Sequence, residues 1–151
     1  VALRNFMTVR FGNIFIRTRL IEGEFPNYRR VIPTQFTSTV TLNRQEFTAA
    51  VERASIVAKD AQYNVINFAI QDGQISLTSQ HPDYGTIEDS VSCQIEGEPI
   101  RIAFNGKFVL DILKHCHSEE IVLQLKTSSP MLVQDKDEQN CVFVVTPMRA
   151  K

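Results

Sequence analysis

Tryptophan is absent from this 151-residue chain, glycine and proline number six each, and three cysteines (Cys93, Cys116, Cys141) cannot all pair. A sparse, odd cysteine set argues against a disulfide-stapled secreted domain and suits a reducing compartment, so a cytoplasmic location is expected. No run of about 18 apolar residues occurs, which leaves no candidate membrane-spanning helix. The opening "VALRNFMTVRF" alternates apolar and polar residues instead of forming an apolar block, so no signal peptide is predicted. A start at Val1 fits a processed product or a fragment. Catalytic signatures are equally scarce. There is no C-x-x-C, H-E-x-x-H, G-x-S-x-G or glycine-rich phosphate loop. His115-Cys116-His117 is the one local cluster of metal-capable residues, and Cys116 falls on the helical stripe of Val109, Ile112 and Leu113. That spacing predicts a core thiol flanked by histidines at a helix end. Glu119-Glu120 and Glu88-Asp89 read as scattered surface carboxylates. No catalysis, metal or other cofactor is expected; the chain reads as a binding or scaffolding protein.

What is present divides the chain in two. Residues 1–31 hold six Arg and two Glu, a net of +4, whereas the other 120 residues carry a net of −5. Within "NFMTVRFGNIFIRTRLI" the alternation turns at Gly12-Asn13, a hairpin signal, with Ile14, Ile16, Thr18 and Leu20 on one face and Phe15, Arg17 and Arg19 on the other. A lone hairpin is marginal in water, so this one is expected to belong to a larger sheet. "EGEFPNYRRVIPT" follows, where Pro26 and Pro33 remove backbone donors and favour an extended, semi-rigid connector. At 43% hydrophobic, the chain can fill one ordinary core, or one core plus a remnant.

Beyond the connector the pattern repeats. "STVTLNRQEFTAAVERASIVAKD" and "IRIAFNGKFVLDILKHC" each run strand, Asn, helix, with Asn43 and Asn105 as N-caps 62 residues apart and Glu46 three residues after Asn43, as in a capping box. Strands follow each helix: "QYNVINFAIQ", a two-residue Asp72-Gly73 turn, "QISLTSQ" and "TIEDSVSCQI"; then "EEIVLQLK", "PMLVQD" and "CVFVVTP". The predicted architecture is α+β, a βαβββ unit written twice, its two helices side by side on antiparallel sheet.

Two details do not fit a plain core. Phe47, Ala50, Val51, Ala54 and Ala58 form the apolar stripe of the first helix, yet Ile56 points roughly opposite Phe47, with Val57 at the stripe's edge. A lone exposed Ile is ordinary, and an association patch is the alternative. In "CVFVVTPMRA", alternation puts Phe143 and Val145 on one face and Val142, Val144, Thr146 and Met148 on the other. Either the strand is buried on both sides or one apolar face lines a groove.

"TRLIEGEFPNYRRVIP", "FNGKFVLDIL" and the terminal "VVTPMRA" together closely resemble the bacterial DNA polymerase III beta subunit family, the sliding clamps, over essentially the whole chain. The resemblance implies a DNA-clamp fold, with residues 1–31 as the end of the clamp's middle domain and 32–151 as its C-terminal domain. It implies a non-catalytic processivity factor that dimerises head to tail into a ring around duplex DNA. Its partners would be the DNA polymerase III alpha subunit, the clamp loader, other polymerases and repair proteins, each held through a short peptide. Carried over, Pro26, Arg30, Val31, Val144, Thr146 and Met148 would line the peptide pocket, with Asn105, Phe108, Ser128 and Pro130 at the neighbouring subsite. Thr146 stands where well-known members carry Met, and Phe108 where some carry Tyr. Ile56, Val57, Glu88 and Asp89 would fall at the dimer interface, and Arg53, Lys107 and Lys114 would face DNA. Because the complementary interface lies on the family's first domain, this chain alone is expected to be monomeric or weakly self-associated. The competing classes are a stand-alone nucleic-acid module, disfavoured by the acidic balance and the lack of Trp, and a zinc enzyme built on His115, Cys116 and His117.

Overall fold

Alternation and turn chemistry set the first elements. In a computed structural model, which describes residues 2, 3, 5–58, 64–138 and 140–148, β1 (Ala2–Leu3), β2 (Phe6–Phe11) and β3 (Ile14–Arg19) form a three-stranded antiparallel sheet. Phe11 pairs with Ile14 across the expected Gly12-Asn13 turn, where Gly12 has φ +58°. Both faces of the hairpin are open: Phe11 is 81% exposed and Phe15 65%. The connector forms no strand: it bends at Glu22-Gly23, where Gly23 has φ +119°, and makes one 3-10 turn at Tyr28–Arg30, closed by the Val31 amide donating to the Tyr28 carbonyl at 2.9 Å.

Strand β4 (Ser38–Asn43) then leads into helix α1 (Arg44–Ala58), and β5 (Val65–Gln71), β6 (Gln74–His81) and β7 (Gly85–Gly97) complete the first unit. The second unit is β8 (Ile100–Asn105), α2 (Gly106–Leu113), β9 (Glu120–Leu125), β10 (Met131–Asp135) and β11 (Val142–Val145). The repeated βαβββ order is the one expected from sequence. Asn43 Oδ1 accepts from the amides of Gln45 and Glu46 at 2.9 and 3.1 Å, and Asn105 Oδ1 accepts from the Lys107 amide at 3.0 Å. Each cap supplies an acceptor to helix-end amides that have no intrahelical partner. At the β5–β6 turn, Asp72 and Gly73 both take positive φ (51° and 76°), the backbone whose twist matches a two-residue hairpin.

All eight strands join one antiparallel sheet in the order β11-β10-β9-β4-β7-β6-β5-β8. The units exchange strands: β4 pairs with β9, and β8 with β5. Both helices pack against each other over this sheet, and the α1 stripe of Phe47, Ala50, Val51, Ala54 and Ala58 is wholly buried. Phe47, Phe68 and Phe104 stack through the centre with ring centroids 5.9 and 5.5 Å apart, linking α1, β5 and β8.

The two halves differ at one place. In the first, β4 and β7 pair from Ser38–Gly97 to Leu42–Cys93. In the second, among the described residues, β8 meets the C-terminal segment only at the bridge between Ala103 and Met148, where the Met148 amide donates to the Ala103 carbonyl at 2.7 Å. Pro147 has no N–H to carry the pairing of β11 with β10 beyond Val145. Strand β11 accordingly ends at Val145, so Thr146 and Met148, expected on a strand face, lie beyond it.

Candidate functional site

A cavity of about 650 Å3 opens at this unfinished seam, bounded by β8, the β9–β10 turn and the segment after β11. Arg101, Ile102, Ala103, Thr127, Ser128, Pro130, Thr146, Pro147 and Met148 line it. Each wall has a local cause. On β8 the inward positions are Ile100, Ile102 and Phe104, which puts Arg101 and Ala103 on the outer face. Ala103 is nonetheless only 1% exposed, and Met148, bridged to it, is half-buried. The β9–β10 turn is closed by the Ser129 amide donating to the Lys126 carbonyl at 3.1 Å, and Ser128 sits in left-handed backbone at φ +60°. A non-glycine residue there costs about 1–2 kcal/mol, which the surrounding structure must impose. The result is a mostly apolar concavity edged by three hydroxyls and one guanidinium, within the size range of ligand pockets.

Of the residues expected to form a pocket, the fold brings Ser128, Pro130, Thr146 and Met148 together in this lining. Val144 lies half-buried on β11 just before it. Asn105 caps α2, and Phe108, 56% exposed, projects from that helix's first turn; neither lines the cavity. Pro26, Arg30 and Val31 sit exposed on the connector, also outside the lining. Arg101, Ile102, Ala103, Thr127 and Pro147 had no sequence signal of their own, since they become one surface only when β8 meets the C-terminal segment.

A second surface centres on α1 and β7. Ile56 is 68% exposed, as the helical wheel predicts, whereas Val57 is 8% exposed and belongs to the core; of the two, only Ile56 offers substantial surface. One turn earlier Arg53 Nε donates to Asp89 Oδ2 at 2.6 Å, joining a residue expected to face DNA to one expected at a subunit interface. That hydrogen bond is the main reason the Asp89 carboxyl is held below the usual carboxylate range and the Arg53 guanidinium above its ordinary value. Glu88, next to Asp89, is exposed. Residues Gly85–Ser92 of β7 pair with β6 on one side, and β4 covers the other side only from Cys93 onward. Lys107 and Lys114 lie seven residues apart, on one face of the second helical segment. Lys114 Nζ bonds Asp111 Oδ1 at 3.1 Å, while Lys107 has no acidic partner among the described residues.

The His115–His117 segment is tied into the fold. Cys116 is 2% exposed, and burial, aided by Asp135, pushes its thiol up to about 11. His115 Nδ1 lies 2.7 Å from the Asp111 carbonyl oxygen. The amides of His117 and Ser118 donate to the two carboxylate oxygens of buried Asp135 at 3.0 and 3.2 Å. Among the described residues no group of three or more His, Cys, Asp or Glu side chains is placed to hold a metal, and no helix is long and apolar enough to cross a membrane.

Known proteins share this fold. A beta sliding clamp of Staphylococcus epidermidis is 30% identical over 147 residues, which is 96% of this chain and 39% of that protein. The DNA polymerase III beta subunit of Thermotoga maritima superposes with a TM-score of 0.91 at 32% identity, over 98% of this chain and 40% of that one. A sliding clamp of Bartonella birtlesii bound to griselimycin superposes with a TM-score of 0.92 at 30% identity, over 98% and 40% of the two chains. The present chain thus spans about two-fifths of the length of the relatives it matches. The family model for the DNA polymerase III beta subunit, C-terminal domain, matches residues 29–149, and this span includes the doubled unit and both sides of its unfinished seam. By sequence and by fold, the chain belongs to the DNA polymerase III beta subunit family, through its C-terminal domain.

Proposed function

We propose that this chain is the C-terminal part of a sliding clamp, a non-catalytic processivity factor that encircles duplex DNA and tethers replication and repair proteins in the cytoplasm. Residues 32–151 are its C-terminal domain and residues 1–31 the end of its middle domain. The open faces of the hairpin support that division, since exposed Phe11, Phe15, Ile21 and Phe25 are what a sheet presents when neighbouring structure covers it. The observation that carries the reading is the seam cavity. An apolar concavity of about 650 Å3 with a few hydroxyls at its rim suits an extended peptide anchored by Leu and Phe side chains. Pro26, Arg30 and Val31 on the connector, Val144 on β11, and Asn105 and Phe108 at the start of α2 would extend the wall around such a peptide. The alpha subunit, the clamp loader and other polymerases and repair proteins are the partners such peptides would come from.

Head-to-tail closure of a ring would use the α1–β7 surface. Ile56 offers the apolar contact there, with Val57 beneath it, Glu88 and Asp89 the acidic one, and Gly85–Ser92 of β7 an edge that no described strand pairs on its second side. Lys107, and more weakly Lys114 and Arg53 because each already has a carboxylate partner, would meet DNA phosphates. The test is a nitrogen-15 NMR titration of the chain with a peptide bearing Leu and Phe anchors, because NMR detects millimolar affinity. Shifts are expected at Ala103, Ser128, Thr146 and Met148, spreading to Val31, Phe108 and Val144. A spectrum unchanged at millimolar peptide refutes the docking site on this chain.

A further inference from the structure

The cavity does not stop at Arg101. A smaller depression of about 310 Å3, lined by Asn67, Phe68, Ala69, Thr78, Arg101 and Ile102, continues from it over β5, β6 and β8. Arg101 and Ile102 belong to both linings, so the two spaces form one groove with the arginine at the junction. Strand register explains the trough. Ala69 lies opposite Arg101, and Asn67 sits between Thr78 and Ala103. These outer-face positions all carry short side chains except Arg101, so the sheet surface is low around one long cationic residue.

The charges are as uneven as the shape. Among the described residues, Arg101 is the one formally charged residue in either lining. It is exposed, and among the described residues no carboxylate lies within ion-pair distance of it. A guanidinium carries five donors and no acceptor, and its planar fork matches a carboxylate. We infer that Arg101 is a specificity residue: among peptides that dock by apolar anchors, it selects those with an acidic side chain beside the anchors, their backbone crossing Arg101 into the smaller depression. The inference rests on the peptide-docking reading and specifies which peptides the site prefers. Nucleic acid fits the groove poorly, because tracking a phosphate backbone takes a row of cations and the described residues of this groove offer one.

The test uses the 151-residue chain and fluorescent peptides of about ten residues with Leu and Phe anchors. A single Asp is placed on either flank of the anchors, with Asn and Lys versions as controls. An exposed ion pair predicts that one Asp peptide binds about two- to fivefold tighter than its Asn control, the ratio falling toward one in high salt. Arg101→Gln should abolish the preference, and Arg101→Glu should transfer it to the Lys peptide. Arg101 is an exposed strand residue, and an intact NMR spectrum will show that each variant is folded. Equal binding of Asp and Asn peptides, or a preference that survives Arg101→Gln, overturns the inference while leaving peptide docking in place. Failure of every peptide to bind removes both. Tighter binding of a single-stranded oligonucleotide than of any peptide, lost in Arg101→Gln, would reassign the groove to nucleic acid and overturn the inference.

Discussion

Gly106→Ala sets helix propensity against packing, and the structure decides the sign. Replacing a helical glycine with alanine ordinarily stabilises by about 0.5–1 kcal/mol, because glycine loses more backbone freedom on folding. Here a Cβ on Gly106 would come 2.6 Å from Ile66 Cδ1, 2.7 Å from Ser55 Oγ and 3.0 Å from Asn64 Oδ1. Ile66 is fully buried, and the Gly106 amide is held by the Asn64 carbonyl at 2.9 Å, so neither the neighbour nor the backbone can yield freely. Overpacking of this kind costs about 1–3 kcal/mol. The net expectation is a loss of about 1–2 kcal/mol, seen as a lower urea midpoint at unchanged m-value and a Tm reduced by about 2–8 °C. Ser55 Oγ, buried with no hydrogen-bond partner among the described residues, is one of the three obstacles. Ser55→Ala should therefore be nearly neutral alone and should recover part of the loss in the double variant, a coupling that a double-mutant cycle measures. A Gly106→Ala chain as stable as the parent would refute the reasoning, because it would mean that α1 and α2 separate at Gly106 without cost.

Three further outcomes follow from side chains already described. Asp135→Ala strands the amides of His117 and Ser118 and should cost about 2–4 kcal/mol in urea unfolding, whereas a cost under about 0.5 kcal/mol would show that water replaces the carboxylate. Asp89 has its folded-state pKa held below the ordinary carboxylate range, chiefly by its hydrogen bond from Arg53, so the stability from that pair is present above that range and is lost as pH falls through the lowered value. The Tm gap between the parent and Asp89→Asn should thus be open at neutral pH and close in acid; a gap that widens in acid contradicts the assignment. In the native chain a maleimide at neutral pH should label exposed Cys141 and spare Cys116, whose thiol is buried and raised to about 11; rapid labelling of Cys116 would show that the end of α2 opens readily.

The doubled unit was legible because its signals are local. Asn43 and Asn105 cap helices through amides two or three residues away, Asp72-Gly73 turns a hairpin within four residues, and the Phe47–Ala58 stripe needs only helical geometry to select its buried face. The same periodicity exposed Ile56, whereas Val57 at the stripe's edge went to the core because packing against the sheet settles edge positions. The site belongs to the other category. Its lining comes from residues 101–103, 127–130 and 146–148, and nothing in those three stretches states that β8 and the C-terminal segment meet by one bridge. Resemblance supplied Ser128, Pro130, Thr146 and Met148, but Arg101 and Ala103 became wall residues only through that meeting. Likewise Arg53 and Asp89, 36 residues apart, read as separate surface charges until α1 lay against β7. Caps, turns and amphipathic stripes are decided within one or two turns of chain, so sequence alone determined the elements and their order. Which strand edges approach, and where β8 and the C-terminal segment stay apart, is decided by closure of the whole sheet, and the candidate surface exists only there.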